Sequence, residues 1–378
     1  MAQNNLKVAI VHDWLTSMGG AESTVLEIAR LFPNAPIYTS VYDNKKLTAF
    51  SKYEVRTTWL QKIPGRLKFK HTLFPVFRAF AFRSLNLKEY DLIISSSSAE
   101  AKSVAKRSDA LHICYCHTPT RYFWSHYEEF KNEFNFGIMT FIIRPFIPLL
   151  VSWMRRKDLG AVKNVDIFIA NSNVTKDRIK KYYDRNSVVI HPPVKTKRFI
   201  KKTDLKRDGY IVWGRHVPYK RFDLVIDACN TLAKRLTVVG SGSDTERLKE
   251  MAGPTISFTG RISDEKLINL AHNAKAFIFP NEEDFGIAPV EALAAGLPVI
   301  AYKKGGALDI IQDSVTGVFF ENQTIRDVAD AMKKIDKIDF SYNTLIKSSK
   351  RFDEKLFEIK IQKFINDAVQ LHRSKENQ

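Results

Sequence analysis

FPNEEDFGIAPVEALAAGLP, residues 279–298, is the stretch whose reading decides the fold. An apolar run, Ala276 to Phe279, stops at Pro280, and an acidic loop follows, Glu282-Glu283-Asp284, then Phe285-Gly286. Proline suits the first helical position and glycine the exit, so the punctuation predicts a helix from Pro289 to Ala295, ended by Gly296-Leu297-Pro298. Strand, loop and helix in that order make the repeating unit of a parallel α/β sheet. Glu283 stands on the loop and Glu291 in the first helical turn, with seven residues between them. Two carboxylates and the amides of a helix start would thus face one crevice. Carboxylates grip sugar or ribose hydroxyls, and helix-start amides grip phosphate. Taken alone, the same residues also fit acids that merely complement a helix dipole.

Outward from this stretch the habit repeats. In the second half, Tyr210–Trp213 reads as a strand, 222–233 as a helix and Leu236–Val239 as a strand. Residues 246–251 read as helix, 256–258 as extended, 264–272 as helix, and 298–301 as the strand after the Glu291 helix. The first half alternates in the same way, with strands at 7–11, 37–40, 91–94, 112–115, 166–170 and 188–190 and a helix at 21–31. Such alternation predicts parallel sheets covered on both faces. Between the halves, His191-Pro192-Pro193-Val194 and a charge-rich stretch, KTKRFIKKTDLKRDG, read as a linker. The expected division is therefore 1–195 and 196–351, with a C-terminal helix over about 352–373 free to pack back on the first domain. Two doubly wound, Rossmann-like domains facing each other would form an interdomain cleft at their strand C-termini, where such sheets bind ligands.

The chain of 378 residues has room for two such cores and the composition of a globular protein. Its formal net charge of +18 points to an anionic partner: nucleic acid, an anionic membrane face or a phosphorylated substrate. Three cysteines, Cys114, Cys116 and Cys229, do not make a disulfide scaffold and suit a reducing compartment. The opening MAQNNLKVAIVHDW has no long apolar run and does not read as a signal peptide. FGIMTFIIRPFIPLLVSW, residues 136–153, is apolar for nearly a membrane-spanning length, but Arg144, Pro145 and Pro148 interrupt it. A central Arg-Pro is costly in hydrocarbon, so the stretch is expected to pack inside the protein or lie on an interface.

Several loops could carry chemistry. Gly214-Arg215-His216-Val217-Pro218-Tyr219-Lys220-Arg221 follows a strand and precedes a helix. Gly214 permits close backbone approach, and Arg215 with Lys220 could hold a diphosphate without a metal. The spacing is not that of a P-loop. His12-Asp13-Trp14 ends the first strand and Gly19-Gly20-Ala21-Glu22 opens a helix, a pattern that suits an anionic group but lacks G-x-G-x-x-G. Cys114-x-Cys116-His117 has no second Cys/His pair to complete a zinc site, so His117 at a strand end is read as a polar or proton-handling contact. Gly240-Ser241-Gly242, Gly260-Arg261-Ile262 and Lys303-Lys304-Gly305-Gly306 follow further strands on the same expected rim. No serine elbow, H-E-x-x-H or D-x-D element appears.

Together these motifs resemble the retaining glycosyltransferases of family 4, which have the two-domain GT-B fold, an α/β architecture. The resemblance covers nearly the whole chain. It rests on Gly19-Gly20-x-Glu22, His117-x-Pro119-x-Arg121, Gly214-Arg215 with Lys220, Gly240-x-Gly242, Gly260-Arg261, and Glu283-x-Phe285-Gly286 with Glu291-Ala292. It implies that the C-terminal domain binds a sugar nucleotide. Arg215 and Lys220 would hold its diphosphate, Glu291 the ribose, and Glu283 the transferred sugar, with Phe285, Gly286 and Ile287 alongside. Arg261 and Ile262 would border the base, and Gly214 and Gly240 would line the donor site. Gly20 would approach the β-phosphate, His117 would contact the sugar, and Asp13, Gly19 and Arg121 would stand on the acceptor side. The family pattern often has a small residue where this chain has Asn281. No metal and no cofactor is implied, because the nucleotide sugar is a substrate.

The HTPTRY and HDW elements look most like enzymes that add mannose to lipid-linked surface polysaccharide precursors. That likeness implies GDP-mannose before a UDP-sugar, a glycan or polyprenyl-diphosphate-linked acceptor, and a cytoplasmic enzyme at the inner face of the cell membrane. RLKFKHTLFPVFRAFAFR, residues 66–83, has no acids and interleaves cations with Phe and Leu, as a surface for anionic lipid would. The alternatives are a basic nucleic-acid-binding protein, or another GT-B enzyme such as an epimerase or phosphorylase. No nucleic-acid module is recognisable, and the acidic loop would repel phosphate backbones, so no nucleic-acid partner is expected.

Overall fold

The structure, a computed structural model, describes residues 6–65, 75–125, 147–200 and 207–376. Residues 66–74, 136–146 and 201–206, which belong to the basic, apolar and linker stretches noted above, lie outside the described residues. The chain forms two compact units, Met1–Pro192 with Phe357–Gln378, and Pro193–Leu356. The division falls between Pro192 and Pro193, three residues before the expected one, and the long helix Glu354–Glu376 changes unit at Phe357.

The first unit is built on a seven-stranded sheet in which every pairing is parallel. Its strands are β1 (Val8–His12), β2 (Ile37–Thr39), β3 (Val55–Thr57), β4 (Leu92–Ser97), β5 (Leu111–Cys116), β6 (Ile167–Ala170) and β7 (Ser187–Val189). The order is β3-β2-β1-β4-β5-β6-β7, so the direction of winding reverses between β1 and β4. Both faces are covered. Ile10, Ile94, Ile113 and Tyr115 pack into one core with the helix Gly20–Leu31, while Ala9, Val11 and Ile93 pack on the opposite side. Phe357, Ile361, Ile365 and Ala368 recur at helical spacing and close the first of these cores from the C-terminal helix.

The second unit repeats the plan with six parallel strands: β8 (Tyr210–Trp213), β9 (Leu236–Val239), β10 (Ile256–Gly260), β11 (Ala276–Phe279), β12 (Val299–Tyr302) and β13 (Gly317–Phe320). The order β10-β9-β8-β11-β12-β13 reverses between β8 and β11. Ile211, Phe277 and Val299 enter one core, and Val212, Ile278 and Ile300 the other, so the central strands β8, β11 and β12 are apolar along their whole length. In open sheets of this kind a crevice opens outside the strand C-termini at the reversal, because neighbouring connections leave to opposite faces there. Each unit therefore has one natural ligand position: the ends of β1 and β4 in the first, and of β8 and β11 in the second.

The helix after β11 starts earlier than its sequence predicts. It spans Ile287–Ala294, with Gly286 at φ 98° before it and Pro289 in its first turn rather than at its first position. Proline is tolerated there because first-turn amides have no intrahelical acceptor. Among the described residues no helix is long and apolar enough to cross a membrane. The helix Ile147–Val162, which starts inside the apolar stretch 136–153 and runs past it, buries Val151 and Met154 and exposes Leu149 and Leu150.

Candidate active site

In the second unit, the three loops after β8, β9 and β10 are tied together by backbone bonds. Gly214 N–H donates to Val239 at 3.1 Å, His216 N–H to Ser241 at 3.2 Å and Gly240 N–H to Gly260 at 2.9 Å. Gly240 has φ 122°, and a Cβ there would lie 1.9 Å from the carbonyl oxygen of Gly214, so the two turns can touch only with glycine at this position. Arg261 Nε donates to Ser241 Oγ at 3.0 Å, and Ile262 beside it is partly buried against the core. His216, not singled out by its sequence, is buried beneath this rim with Nδ1 3.1 Å from Thr245 Oγ1. Burial pushes its pKa down, which keeps it a neutral brace rather than a phosphate ligand.

Lys220 ends a short turn after β8, and its ammonium pairs with the Glu283 carboxylate from the loop after β11. The pair therefore bridges the reversal point of the sheet. Asn281 Nδ2 donates to the same Glu283 oxygen at 3.1 Å, and the Lys220 ammonium stands 6.0 Å from the centre of the Phe279 ring. Gly306 N–H donates to the Glu283 carbonyl at 2.8 Å, and Phe285 is buried edge-on against Phe352, so the acidic loop is held from below. Gly286 and Ile287 start the following helix. Arg215, on the same turn as Lys220, is exposed. The arrangement offers one cation held by a carboxylate, a second cation facing solvent, and the amides of a helix start.

Glu291 belongs to a separate cluster. Its carboxylate meets Arg198 Nη2 at 2.5 Å and accepts from Trp213 Nε1 at 3.3 Å. Arg198 also pairs with Asp264 at 2.5 Å. Burial raises the pKa of Glu291, and Arg198 opposes that rise. The two glutamates of the opening stretch thus answer to different cations, Glu283 to Lys220 and Glu291 to Arg198. Arg198 was not legible as a site residue: it lies in the polar stretch that reads as linker, 93 residues from its partner.

In the first unit the residues after β1 are also at the reversal point. Asp13 is buried, and its carboxylate accepts from the backbone N–H groups of Ser98 at 2.6 Å, Ala99 at 3.0 Å and Ala101 at 2.7 Å. These bonds hold the turn after β4 against the end of β1. Gly19 is exposed and Gly20 begins the helix that carries Glu22. His117 follows β5, with Nε2 2.8 Å from Ser96 Oγ. Arg121 is half-buried between Thr120 and Tyr122, which anchor it to two buried ionic groups. Lys102 pairs with Asp158 at 2.7 Å and donates to Thr120 Oγ1 at 3.1 Å; Arg78 pairs with Glu100 at 2.7 Å and donates to Tyr122 at 2.9 Å. The sulfur-bearing side chains of Cys114 and Cys116 are buried with Phe168 and Ala170, on the face away from His117's partner Ser96.

Comparison with known proteins adds a second line of observation. Residues 18–198 match the profile described as Glycosyltransferase Family 4, and residues 193–354 that of Glycosyl transferases group 1. A GDP-mannose-dependent α-(1-6)-phosphatidylinositol monomannoside mannosyltransferase of Mycobacterium tuberculosis is 31% identical over 150 residues, 34% of this chain and 38% of that protein. The human α-1,3/1,6-mannosyltransferase ALG2 is 26% identical over 221 residues, 49% of this chain and 52% of that one. These matches span about half or less of each relative. Among solved structures, HepE of Anabaena in complex with UDP shares the fold, with a TM-score of 0.69 and 17% identity over 95% of this chain and 100% of that one.

Proposed function

The chain belongs to the family 4 glycosyltransferases and has the GT-B fold, and on that premise we propose that it moves a hexose, mannose first, from a nucleotide sugar to a glycan or lipid-linked acceptor. The observation that carries this reading is the Lys220–Glu283 pair astride the strand-order reversal of the second unit. In the proposed donor complex, Lys220 and the exposed Arg215 neutralise the diphosphate. Glu283, with Phe285 and Gly286 behind it, takes hydroxyls of the sugar, and Glu291 takes the ribose diol. The loop at Gly240, Arg261 and Ile262 borders the base. Both named relatives are mannosyltransferases, and the GDP-mannose dependence of the Mycobacterium one favours GDP-mannose as donor, while the UDP in the Anabaena structure keeps a UDP-sugar as the second choice.

The reaction forms a bond from the acceptor oxygen to the anomeric carbon and breaks the bond from that carbon to the β-phosphate. We read it as same-face transfer with retention: the acceptor proton passes to the departing phosphate oxygen, while Lys220 and Arg215 stabilise the charge that develops there. Two cations supply what a metal supplies in other transferases, so the proposal needs no metal. In the first unit, His117 and Arg121 are proposed as contacts for sugar or acceptor hydroxyls.

The helix Pro75–Arg83 exposes Phe77 and Phe80 beside Arg83, and the helix Ile147–Val162 exposes Leu149 and Leu150 ahead of Arg156 and Lys157. Aromatic and aliphatic side chains next to cations suit the headgroup region of an anionic bilayer, so these helices are proposed to dock on the cytoplasmic face of the cell membrane. Transfer from GDP-mannose to a lipid-linked or glycan acceptor tests the enzymatic reading. Glu283→Ala and Lys220→Ala should each lose roughly tenfold or more in rate while staying folded, since each removes a charge-assisted contact. Full activity in either variant would remove the assignment.

A further inference from the structure

The carboxylate of Glu283 is held by two donors of different kinds. Both reach one oxygen, Oε1: the Lys220 ammonium, and Asn281 Nδ2 at 3.1 Å. Oε2 has no partner among the described residues, and the side chain is 19% exposed, so this second oxygen is the one open to a ligand. The loop backbone beneath is pinned from two neighbouring turns. Gln323 Nε2, from the turn after β13, donates to the carbonyl of Pro280 at 2.8 Å. Gly306 N–H, from the turn after β12, donates to the carbonyl of Glu283 at 2.8 Å. Gly305 permits that approach, because a Cβ there would lie 2.3 Å from the Glu283 carbonyl oxygen. Asn281 and Glu283 therefore project from fixed positions, and their side chains meet without help from a ligand.

Asn281 is 1% exposed, and its partner fixes which way its amide points. An amide oxygen set against a carboxylate oxygen would be repelled, so the nitrogen faces Glu283. Oδ1 is then buried with no hydrogen-bond partner. An unpaired buried acceptor works against folding, so stability alone does not account for an asparagine here. Buried as it is, Oδ1 is also out of a ligand's reach, and Asn281 can act on a ligand only through Glu283. The two donors part company when a diphosphate arrives. It carries more negative charge than one carboxylate and draws the ammonium towards itself. The amide carries no charge and has no other acceptor among the described residues, so it stays with Glu283.

We propose that Asn281 is a positioning residue for Glu283: when Lys220 turns to the diphosphate, the Asn281 amide keeps Oε1 in place and leaves Oε2 presented to the hydroxyls of the transferred sugar. It separates two tasks that Lys220 cannot perform at once, neutralising phosphate and steadying the carboxylate. This role rests on the reading of Glu283 as the sugar contact.

The test is titration calorimetry of the full chain with two ligand pairs, GDP with GDP-mannose and UDP with UDP-glucose. The proteins compared are the unsubstituted chain, Asn281→Ala, Glu283→Ala and the variant carrying both substitutions. Asn281→Ala should weaken binding of the nucleotide sugar roughly three- to tenfold and leave the bare nucleotide unchanged, because only the sugar meets Glu283. In the double variant, Asn281→Ala should add nothing to the loss caused by Glu283→Ala, whereas a merely structural role would add a loss of its own. If Asn281→Ala fails to fold, Asn281→Leu, which keeps the branched shape without the donor, takes its place in every comparison. Equal weakening of nucleotide and nucleotide sugar overturns the proposal. So does an Asn281→Ala that binds both normally while Glu283→Ala loses the nucleotide sugar. A Glu283→Ala that binds the nucleotide sugar undiminished, or no binding in either pair, overturns the reading of Glu283 and this proposal with it.

Discussion

Replacing Arg198 by methionine should turn a pH-insensitive nucleotide site into a pH-sensitive one. Glu291 is buried, its pKa is already raised by burial, and Arg198 at 2.5 Å is the main influence that pulls it down. Trp213 Nε1 at 3.3 Å supplies only a neutral donor. Methionine keeps the apolar stem of the side chain and removes the charge, so the pKa of Glu291 rises further. The sign then follows: as pH falls, the carboxyl takes up a proton and stops acting as an anionic acceptor for the ribose diol. A hydrogen bond to a charged group contributes about 1.5–3 kcal/mol and a neutral one about 1 kcal/mol. The difference, about 1 kcal/mol or a little more, corresponds to a roughly five- to tenfold weaker Kd. Titration calorimetry with GDP at pH 6, 7 and 8 reads it directly. The unsubstituted protein should bind with nearly the same Kd across the range, and Arg198→Met should weaken several-fold from pH 8 to pH 6. Equal and pH-independent binding by both proteins would show that Glu291 does not hold the ribose as an anion.

Stability should also fall in acid because of His112. The ring is fully buried between Ser95 Oγ at 2.8 Å and the Asn164 carbonyl at 3.0 Å, and burial lowers its pKa from 6.5 to about 4. A lowered folded-state value means that the unfolded chain takes up the proton first, so this group's share of stability is complete above about pH 6.5 and lost as pH falls towards 4. The loss should approach about 3 kcal/mol at the acid end, and urea unfolding of His112→Gln should show a shallower decline over that window. On the surface, Phe77→Ser with Phe80→Ser should reduce co-sedimentation with vesicles containing anionic lipid and leave GDP binding unchanged; undiminished sedimentation would end the docking proposal.

The parts of this molecule that were legible in its sequence are those where local pattern and tertiary environment agree. Strands such as Ala276–Phe279 and Tyr210–Trp213 are buried on both faces, so four successive apolar residues mark them without help from the rest of the chain. Edge strand Val55–Thr57 was not expected, because a half-exposed run with an arginine at its centre has no such signature. Lys220 and Glu283 announced themselves by standing in loops at strand ends, although nothing local said that they would pair. Arg198 hid in a basic stretch whose composition is that of a linker, and its value lies wholly in a distant contact. Asp13 shows the converse. A carboxylate at a strand end invites a ligand, and no local pattern tells that three backbone N–H groups from the turn after β4 also bond to it. The buried contact of His12 with Ser96 depends on register between strands 84 residues apart, which no short motif encodes.

Binding of a nucleotide sugar to the second unit is the claim on which the rest depends. Titration calorimetry of the full chain with GDP-mannose, UDP-glucose and UDP-N-acetylglucosamine tests it most directly, with Lys220→Ala as the control. Saturable binding of GDP-mannose at one site, tighter than either UDP-sugar and weakened roughly tenfold or more by the substitution, is the expected result. Failure of all three to bind, together with salt-sensitive binding of DNA or RNA, would contradict it.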